Sequence, residues 1–489
     1  MSTPELPFGA IRQAMAEFDL APHIAPNTSI APEQVFFPSG HRGVLDLNRP
    51  LVVGNRGVGK SFWTHALSNK ELRDKLADRY SLAQLKSTHV KIGFNGSDSL
   101  GEFTPAVDEV AHLATLTSNP DLIWKAVLLR IATSLTGEAN LSLEAALNRL
   151  QSDSTYYSVI LSKLDQHLAE KKEYLLIVFD ALDRLGQDWE KIRQLSRALL
   201  RLAIGLQSFR SIRAKIFIRV DQFSDPELFK FPDSSKIKND HVNLVWKSEE
   251  LYGLLLFEIL RSPSARNQLT DVAKSLNAVA ALPLNGVDVS NHLDSQRLLV
   301  EALAGEFMGS DKKRGQVYTW VPLHLSDAAS TCSPRTFLTA WNKAAVHTPA
   351  PEHRAVDHLG LQEGVRLASN VRLNELYEDY DWIRPSLKAL QQQFVPMPRE
   401  QLFELWQQGE VLKAITNSES AQIQRIPSNL SEVGSNLTNV DTYDALLRAM
   451  ETVAVLEVRG NGKIDVPDIF RVDAGILRRG GVAVPKRKK

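Results

Sequence analysis

The chain has 489 residues, 43% of them hydrophobic, and its 57 Lys and Arg residues are balanced by 57 Asp and Glu residues. This length predicts two to four domains with ordinary hydrophobic cores. Zero net charge excludes a strongly basic or acidic protein, so the net charge does not indicate the class of partner. The single cysteine, Cys332, excludes an internal disulfide and a cysteine-based zinc site, and the lack of any apolar run of about eighteen residues predicts a cytoplasmic protein with no membrane partner.

Residues 1–44 predict an N-terminal lead-in. A short helix is expected near Ile11–Phe18, and proline and glycine residues then punctuate the stretch and favour irregular structure.

Residues 51–61, Leu-Val-Val-Gly-Asn-Arg-Gly-Val-Gly-Lys-Ser, predict a short buried strand that runs into the phosphate-binding pattern G-x-x-x-x-G-K-S. Its glycines let backbone N–H groups surround phosphate oxygens at a helix N-terminus, whose dipole favours the anion. In this pattern Lys60 reaches the β- and γ-phosphates, and Ser61 ligates Mg²⁺. The predicted nucleotide-binding residues are Gly54, Asn55, Arg56, Gly57, Val58, Gly59, Lys60, Ser61 and Phe62.

The segment before such a loop often covers the adenine base. Phe36, Phe37 or His41 could stack there, or these rings could simply pack on the domain surface. The sequence leaves both alternatives open.

Beyond the loop, a second strand is predicted at Val90–Phe94. Apolar residues at spacings of three and four then predict helices near 122–135, 141–150 and 156–168. The run Tyr174–Phe179 is apolar almost throughout, which is typical of a fully buried parallel strand.

Asp180 directly follows this run. A carboxylate at the carboxyl end of a strand beside a phosphate loop can hold Mg²⁺ through water; the alternative is that Asp180 caps the helix that begins near Trp189. Asp183 either orients the attacking water or pairs with Arg184 or another basic residue.

A helix is predicted over Trp189–Gln207, followed by a strand over Ala214–Asp221. Ligands of doubly wound sheets lie at the carboxyl ends of the strands. Arg219 and Asp221 are therefore expected near the γ-phosphate, where the arginine would sense charge, or else in a salt bridge at the strand end. A last strand at Val242–Trp246 and a helix at Glu249–Arg261 complete this part.

The pattern as a whole predicts an α/β fold: a P-loop NTPase core with a parallel sheet flanked by helices, a helical lid, and a C-terminal helical and winged-helix-like domain. In the lid, Pro334 suits a first helical turn, so Arg335 sits where a helix start can point at the nucleotide. The predicted divisions are 1–44 (lead-in), 45–262 (core), 263–345 (lid), 346–370 (linker) and 371–489 (C-terminal domain with a basic tail).

The C-terminal part predicts helices near Leu373–Phe394 and Glu400–Leu412, and then a polar stretch at 417–440. Residues 455–458 and 464–466 flank a Gly-Asn-Gly turn and predict a hairpin. Helices followed by a hairpin suggest a winged helix. The basic tail, Lys486-Arg487-Lys488-Lys489 with Arg478 and Arg479 nearby, either contacts nucleic acid or is a solvated end.

With both halves of the site in view, the chain resembles the STAND and KAP-type branch of P-loop ATPases, relatives of the AAA+ proteins. The resemblance rests on Gly54–Ser61, Val178–Arg184 and Ile216–Asp221 and covers about residues 45–345. It implies ATP and Mg²⁺ as cofactors, and Arg335 resembles the sensor arginine of an AAA+ lid. Where AAA+ motors have Asp-Glu this chain has Asp180 followed by alanine, which implies slow hydrolysis or dependence on Asp183 or on a neighbouring subunit.

The resemblance implies a nucleotide-controlled regulatory ATPase, a homo-oligomer that controls a separately encoded protein partner or effector, as bacterial relatives do in antiphage defence. The alternative is a DNA-binding ATPase of the initiator or transposition-regulator type that contacts DNA through the winged helix. A small-molecule kinase is a third hypothesis. The expected catalytic residues are Lys60, Asp180, Asp183 and Arg335, and the expected metal ligands are Ser61 and Asp180.

Overall fold

The computed structural model describes residues 8–20, 32–99, 101–138, 141–186, 189–416, 440–479 and 482–484. They form two compact units. The sheet unit is built from His41–Leu244. The helical unit is built from helix α1 (Gly9–Ala16), the segment Glu33–Gly40 and the chain from Val245 onward. The predicted lead-in is therefore divided, and the units separate at 244/245 where the sequence predicts a boundary at 262.

The strands of the sheet unit are β1 (Leu51–Val53), β2 (Thr88–Phe94), β3 (Tyr174–Phe179), β4 (Ile212–Ile218) and β5 (Val242–Asn243). They form one parallel sheet in the order β2, β3, β4, β1, β5. All three residues of β1 and the last five of β3 are buried, as expected for strands covered on both faces. The predicted α/β fold with a parallel sheet is confirmed.

Helices surround this sheet. The segment Pro120–Leu135 buries residues on nearly all sides, and its Trp124 donates its indole N–H to the Leu195 carbonyl at 2.8 Å, so it is a core helix rather than a surface helix. The helices of the sheet unit are α2 (Lys60–Ser68), α3 (Lys70–Arg79), α4 (Val107–Leu116), α5 (Pro120–Leu135), α6 (Leu143–Ser152), α7 (Tyr156–Lys171), α8 (Trp189–Leu206), α9 (Val220–Ser224) and α10 (Ser234–Asn239).

Two predicted strands are shorter than expected at their carboxyl ends. β4 ends at Ile218, and α9 begins at Val220, so the predicted strand over Ala214–Asp221 turns into a helix before it finishes. β5 pairs with β1 over two residues only; the Leu244 amide still donates to the Val53 carbonyl at 2.7 Å, but the predicted strand does not continue to Trp246.

The helical unit begins with α11 (Ser248–Leu260), α12 (Pro263–Ser275), α13 (Leu293–Ala304), α14 (Val317–Leu325), α15 (Pro334–Val346), α16 (His358–Asp379) and α17 (Ile383–Lys388). Helices α15 and α16 pack closely because Gly364 has no side chain: a Cβ there would lie 2.1 Å from the Ala340 carbonyl oxygen. None of the described helices is long and apolar enough to cross a membrane.

Helix α16 corrects two sequence predictions. It begins at His358, with the Asp357 carboxylate accepting the Gly360 amide at 2.8 Å, so the predicted linker at 346–370 is helical in its second half. It ends at Asp379, and α17 is separate, so the single helix predicted over Leu373–Phe394 is broken. The charged, His-rich composition of this segment favoured a linker, but the segment forms a helix in which Gly360 and Gly364 lie against α15.

The C-terminal elements are β6 (Phe394–Val395), α18 (Arg399–Gln408), α19 (Val411–Thr416), α20 (Val440–Thr452), β7 (Glu457–Val458), β8 (Ile464–Asp465), α21 (Asp468–Ala474) and β9 (Leu477–Arg478). Strands β7 and β8 form the predicted hairpin, and Met397, just after β6, bridges Ile464 in antiparallel fashion. Helices followed by a hairpin that is bridged to the segment just after β6 give the predicted winged-helix-like arrangement. The polar stretch at 417–439 and the tail at 486–489 lie outside the described residues.

Arg478 has a structural role. Its guanidinium pairs with two buried carboxylates, Asp465 and Asp468, the latter at 3.1 Å. The sequence grouped this arginine with the basic tail. In the folded chain it holds β9 to the base of the β7–β8 hairpin.

Candidate nucleotide-binding site

The phosphate-loop pattern lies where β1 meets α2. β1 sits inside the sheet between β4 and β5, so the loop opens at the carboxyl edge of the sheet. A Cβ on Gly54 would lie 2.8 Å from the Val58 side chain, and Gly59 has a φ of 108° immediately before α2. Both positions therefore require glycine, one for space and one for backbone conformation.

Lys60 begins α2 and folds back over its own loop. Its ammonium donates to the carbonyl oxygens of Gly54 and Asn55, each at 2.9 Å. Burial lowers the pKa of Lys60 to about 8, and the Asp180 carboxylate is the charge that most opposes this shift. A lysine that is still protonated at neutral pH, and held at the mouth of the loop, can bind an anion there.

Asp180 lies at the end of β3 and is 3% exposed. It accepts a hydrogen bond from the Ala181 amide at 2.8 Å and another from the Ser61 hydroxyl. Burial raises the pKa of this carboxyl, while Lys60 acts in the opposite direction. The two predicted metal ligands, Ser61 and Asp180, are therefore in contact, although β4 separates their strands in the sheet.

A hydroxyl and one carboxylate fit Mg²⁺, which prefers oxygen ligands and is commonly held by one or two carboxylates together with substrate phosphates. Among the described residues, no group of three or more His, Cys, Asp or Glu side chains is arranged to hold a metal by itself. Ser61 and Asp180 would therefore hold an ion that arrives with a triphosphate.

Asp183 lies on a short 3₁₀-helix, Leu182–Arg184, that follows β3. Its carboxylate is 3.7 Å from the guanidinium of Arg219, whose Nε donates to Asp221 at 3.2 Å. Arg184, the partner that the sequence suggested first, points to Asp98 instead, at 3.4 Å. Arg219 thus forms salt bridges with both Asp183 and Asp221, and roles for these groups near a γ-phosphate or an attacking water stay predictions.

These groups form one electrostatic cluster. Arg219 contacts Asp183 and Asp221, and the charges of Asp180, Arg219, Asp183 and Asp221 all influence the pKa of Lys60. Two cations and three carboxylates at the carboxyl edge of a parallel sheet, next to a phosphate loop, form the expected environment for a Mg-nucleotide.

The remaining predicted loop residues have distinct settings. Val58 is buried and packs against Gly54. Phe62 is partly buried and lies edge-on against Trp63, with ring centroids 5.5 Å apart. Asn55 and Arg56 are partly exposed on the loop itself.

The rings proposed to stack on adenine are buried instead. Phe36 packs on Trp246 and Phe257 within the helical unit, and Phe37 is 2% exposed. In the sheet unit, Trp63 donates its indole N–H to His41 Nδ1 at 3.1 Å. The packing alternative is correct for all three rings, because none presents a free face.

Arg335 belongs to the helical unit. It follows Pro334 at the start of α15, where the Ser333 hydroxyl caps the helix by accepting the Thr336 amide at 3.1 Å. Its guanidinium donates to Glu375 on α16 at 3.1 Å. A role for Arg335 at the nucleotide stays a prediction.

Sequence reasoning missed the close approach of two loops at this edge. Gly96, after β2, has a φ of 68°, and a Cβ there would lie 2.8 Å from the Ala181 Cβ. The Asn95-Gly96 dipeptide, a common turn signal, could have marked this loop as part of the site. Ala181 itself has a φ of 55°, in the left-handed region.

No protein-family model matches the chain, and no curated protein matches it. Among solved structures it is similar to the Aeropyrum pernix ORC2 protein in its ADPNP-ADP complexes, at 11% identity over 86% of this chain and 84% of that chain, with a TM-score of 0.36. It is also similar to the Aeropyrum pernix ORC1 protein in complex with DNA, at 10% identity over 93% of each chain, with a TM-score of 0.31. At such TM-scores no residue role is transferred from these structures. The roles discussed for this chain rest on its own geometry.

Proposed function

We propose that this chain is a Mg-dependent, ATP-binding regulatory ATPase that uses nucleotide binding and hydrolysis to switch conformation or assembly. The observation that carries the proposal is the meeting of Lys60, Ser61 and Asp180 at one edge of the sheet. Lys60 and Ser61 come from the loop after β1, and Asp180 comes from the end of β3, which is distant in sequence. Phosphate binding and metal binding need these three residue types. Chance packing does not readily produce such a set beside a glycine loop.

Each side chain has a defined task. The Lys60 ammonium binds phosphate oxygens of the β- and γ-groups, and Ser61 with Asp180 would hold Mg²⁺, which supplies charge neutralisation when bound. The Asp183 carboxylate accepts a hydrogen bond from the attacking water and so orients it. Arg219 holds Asp183 in position from the neighbouring strand end.

Turnover is expected to be slow. Ala181 stands where the related motors carry a glutamate that polarises water, and Asp183 is already engaged with Arg219. Faster turnover would need a rearrangement of this pair, or an arginine such as Arg335 or one from a neighbouring subunit. A homo-oligomer in the cytoplasm remains the working hypothesis, and ATP is the preferred nucleotide.

Double-stranded DNA is the proposed partner. The winged-helix-like arrangement at the carboxyl end of the chain supports this choice, because such modules dock a helix in a DNA groove. Membership of the STAND and KAP-type branch, with a separately encoded effector in antiphage defence, stays a hypothesis that rests on the sequence motifs.

Phosphate release from purified protein with Mg-ATP tests the proposal. Lys60→Ala should abolish turnover and leave the fold intact, whereas the matched control Lys70→Ala, which removes an exposed lysine paired with Asp74 at the start of α3, should retain it. Turnover in Lys60→Ala equal to that of the wild type would refute the site. The assay is repeated with duplex DNA over a salt series, because phosphate contacts make DNA affinity salt-dependent; turnover indifferent to DNA would return the choice to a switch controlled by a protein partner.

A further inference from the structure

A turn between α13 and α14 places three consecutive cations at the surface of the helical unit. We name residues 307–316 the basic hairpin. Phe307 and Gln316 form an antiparallel bridge at its base, and the Met308 amide donates to the Gly315 carbonyl at 2.9 Å. The tip is a 3₁₀-helix, Lys312–Arg314.

The basic hairpin is well anchored. Met308 is 3% exposed and belongs to the core of the helical unit. The Asp311 carboxylate accepts the Lys313 amide at 2.8 Å and so caps the tip. Gly315 closes the turn with a φ of 88°, and a Cβ there would lie 3.2 Å from Trp320 on α14. These contacts hold the backbone of the tip in one shape.

The side chains at this tip are exposed and unpaired. Lys312, Lys313 and Arg314 all face solvent, and none of them has an acidic side chain within salt-bridge distance among the described residues. A 3₁₀-helix has three residues per turn, so the three side chains spread about 120° apart. The tip therefore presents cations in a fan rather than on one flat face.

In the winged-helix-like region, by contrast, several cations form salt bridges. Arg399 pairs with Asp444, Lys413 with Glu410 at 2.6 Å, and Arg459 with Asp465. Most of the cations in the described part of this region are thus paired with carboxylates of the same region. Its exposed cations without a salt bridge in the described part of the chain are Arg448 on α20, Lys463 in the β7–β8 turn and Arg479 after β9, which lie on three separate elements.

We infer that the basic hairpin binds the phosphate backbone of double-stranded DNA and supplies more of the affinity than the winged-helix-like region does. This rests on the proposed DNA partner and adds a second contact surface to it. Binding three cations to phosphates releases condensed counterions, a favourable term that salt weakens. The fan of side chains suits a groove, which has phosphates along both of its walls.

Other polyanions fit the tip less well. Residues 309–314, Gly-Ser-Asp-Lys-Lys-Arg, contain no aromatic side chain on which an unpaired base could stack, as single-strand binding requires. They also contain no apolar side chain to insert among lipid tails, which membrane-surface elements combine with their cations. Duplex DNA needs neither.

Fluorescence anisotropy of a labelled duplex with the full chain, over a salt series, tests the inference. The variant Lys312→Ala/Lys313→Ala/Arg314→Ala should weaken binding about tenfold or more near 0.1 M salt and reduce the slope of log K against log salt by about two to three. The matched variant Arg448→Ala/Lys463→Ala should change affinity by less than about threefold, because it removes fewer phosphate contacts. Replacing Lys312 and Lys313 by arginine should preserve binding.

The inference would be overturned by no duplex binding of the wild type at low salt, by equal affinity of the triple variant and the wild type, or by a larger loss in the Arg448 and Lys463 variant. A triple variant that binds anionic vesicles more weakly than the wild type does, but binds duplex DNA equally well, would also overturn the inference, in favour of a membrane surface. DNA-independent ATP turnover is measured in the same variants. It should be unchanged by the hairpin substitutions and lost in Lys60→Ala, so failure of the hairpin and failure of the ATPase site are distinguishable.

Discussion

The guanidinium of Arg219 lies 3.7 Å from a carboxylate oxygen of Asp183, and the pair joins the ends of two neighbouring strands. Arg219 follows β4 and Asp183 lies just after β3. The arginine side chain is 11% exposed and the aspartate side chain 26% exposed, so water screens the interaction only in part. This contact holds the proposed water-orienting carboxylate in place.

If Arg219 acts through Asp183, the effects of removing the two groups should not add. We expect Asp183→Asn to lower kcat about a hundredfold, and Arg219→Gln to lower it clearly in the wild-type background but little in Asp183→Asn. Single-turnover phosphate release on the four proteins of the cycle measures this. Arg184→Gln, which breaks the exposed contact with Asp98, is the control and should stay near wild type. Additive losses would mean that Arg219 acts independently of Asp183.

Asp180→Asn keeps an oxygen that can accept the Ala181 amide but removes the negative charge beside Ser61 and Lys60. Because Mg²⁺ prefers carboxylate oxygens, we expect turnover to fall about a hundredfold and nucleotide binding without Mg²⁺ to remain. A Mg²⁺ titration of turnover, with binding of a labelled nucleotide in chelator, separates the two effects. Wild-type activity in this variant would leave Asp180 with a structural role only.

Lys215 is fully buried in β4, and its ammonium donates to the carbonyl oxygens of Asp46 and Arg49, each at 2.6 Å. Burial lowers the pKa of Lys215 from 10.5 to about 7. Between these values the unfolded chain binds a proton at Lys215 that the folded chain lacks. The contribution of this lysine to the free energy of unfolding therefore falls as pH drops from about 10 to 7, and is constant at still lower pH.

Lys215→Met removes the titrating group and keeps the apolar stem. We expect the free energy of unfolding of the wild type, relative to this variant, to be about 2 kcal/mol larger at pH 9 than at pH 7, so that the wild type gains stability as pH rises. Urea unfolding of both proteins at the two pH values measures the difference. The same difference at both pH values would show that Lys215 does not titrate in this window.

Arg471 is 1% exposed and binds Asp468 at 2.6 Å and the Val482 carbonyl at 2.7 Å. Arg471→Met leaves Asp468 with Arg478 as a charged partner but removes the donor to the Val482 carbonyl, so it should destabilise the helical unit by about 1–3 kcal/mol. Arg479→Met, at an exposed position nearby, should change stability by less than about 0.5 kcal/mol. Equal urea midpoints for the two variants would contradict this role.

The local chemistry of the site could be predicted from the sequence because it depends on neighbours along the chain. The loop at Gly54–Ser61 needs glycine at Gly54 for space and at Gly59 for backbone conformation, and the apolar run before Asp180 needs burial on both faces. Helices with clear apolar spacing, such as α5 and α7, were predicted within a few residues of their bounds.

Other features depend on which elements become neighbours, and no local pattern encodes that. The insertion of β4 between β1 and β3 decides that Asp183 meets Arg219 rather than Arg184. The packing of α15 on α16 decides that a charged, His-rich segment is helical, because glycines there admit a close helix contact. Sequence determined the residue types and local backbone of the phosphate loop. Tertiary structure alone decided the partners of its charges, because those partners are brought together by long-range packing of the sheet.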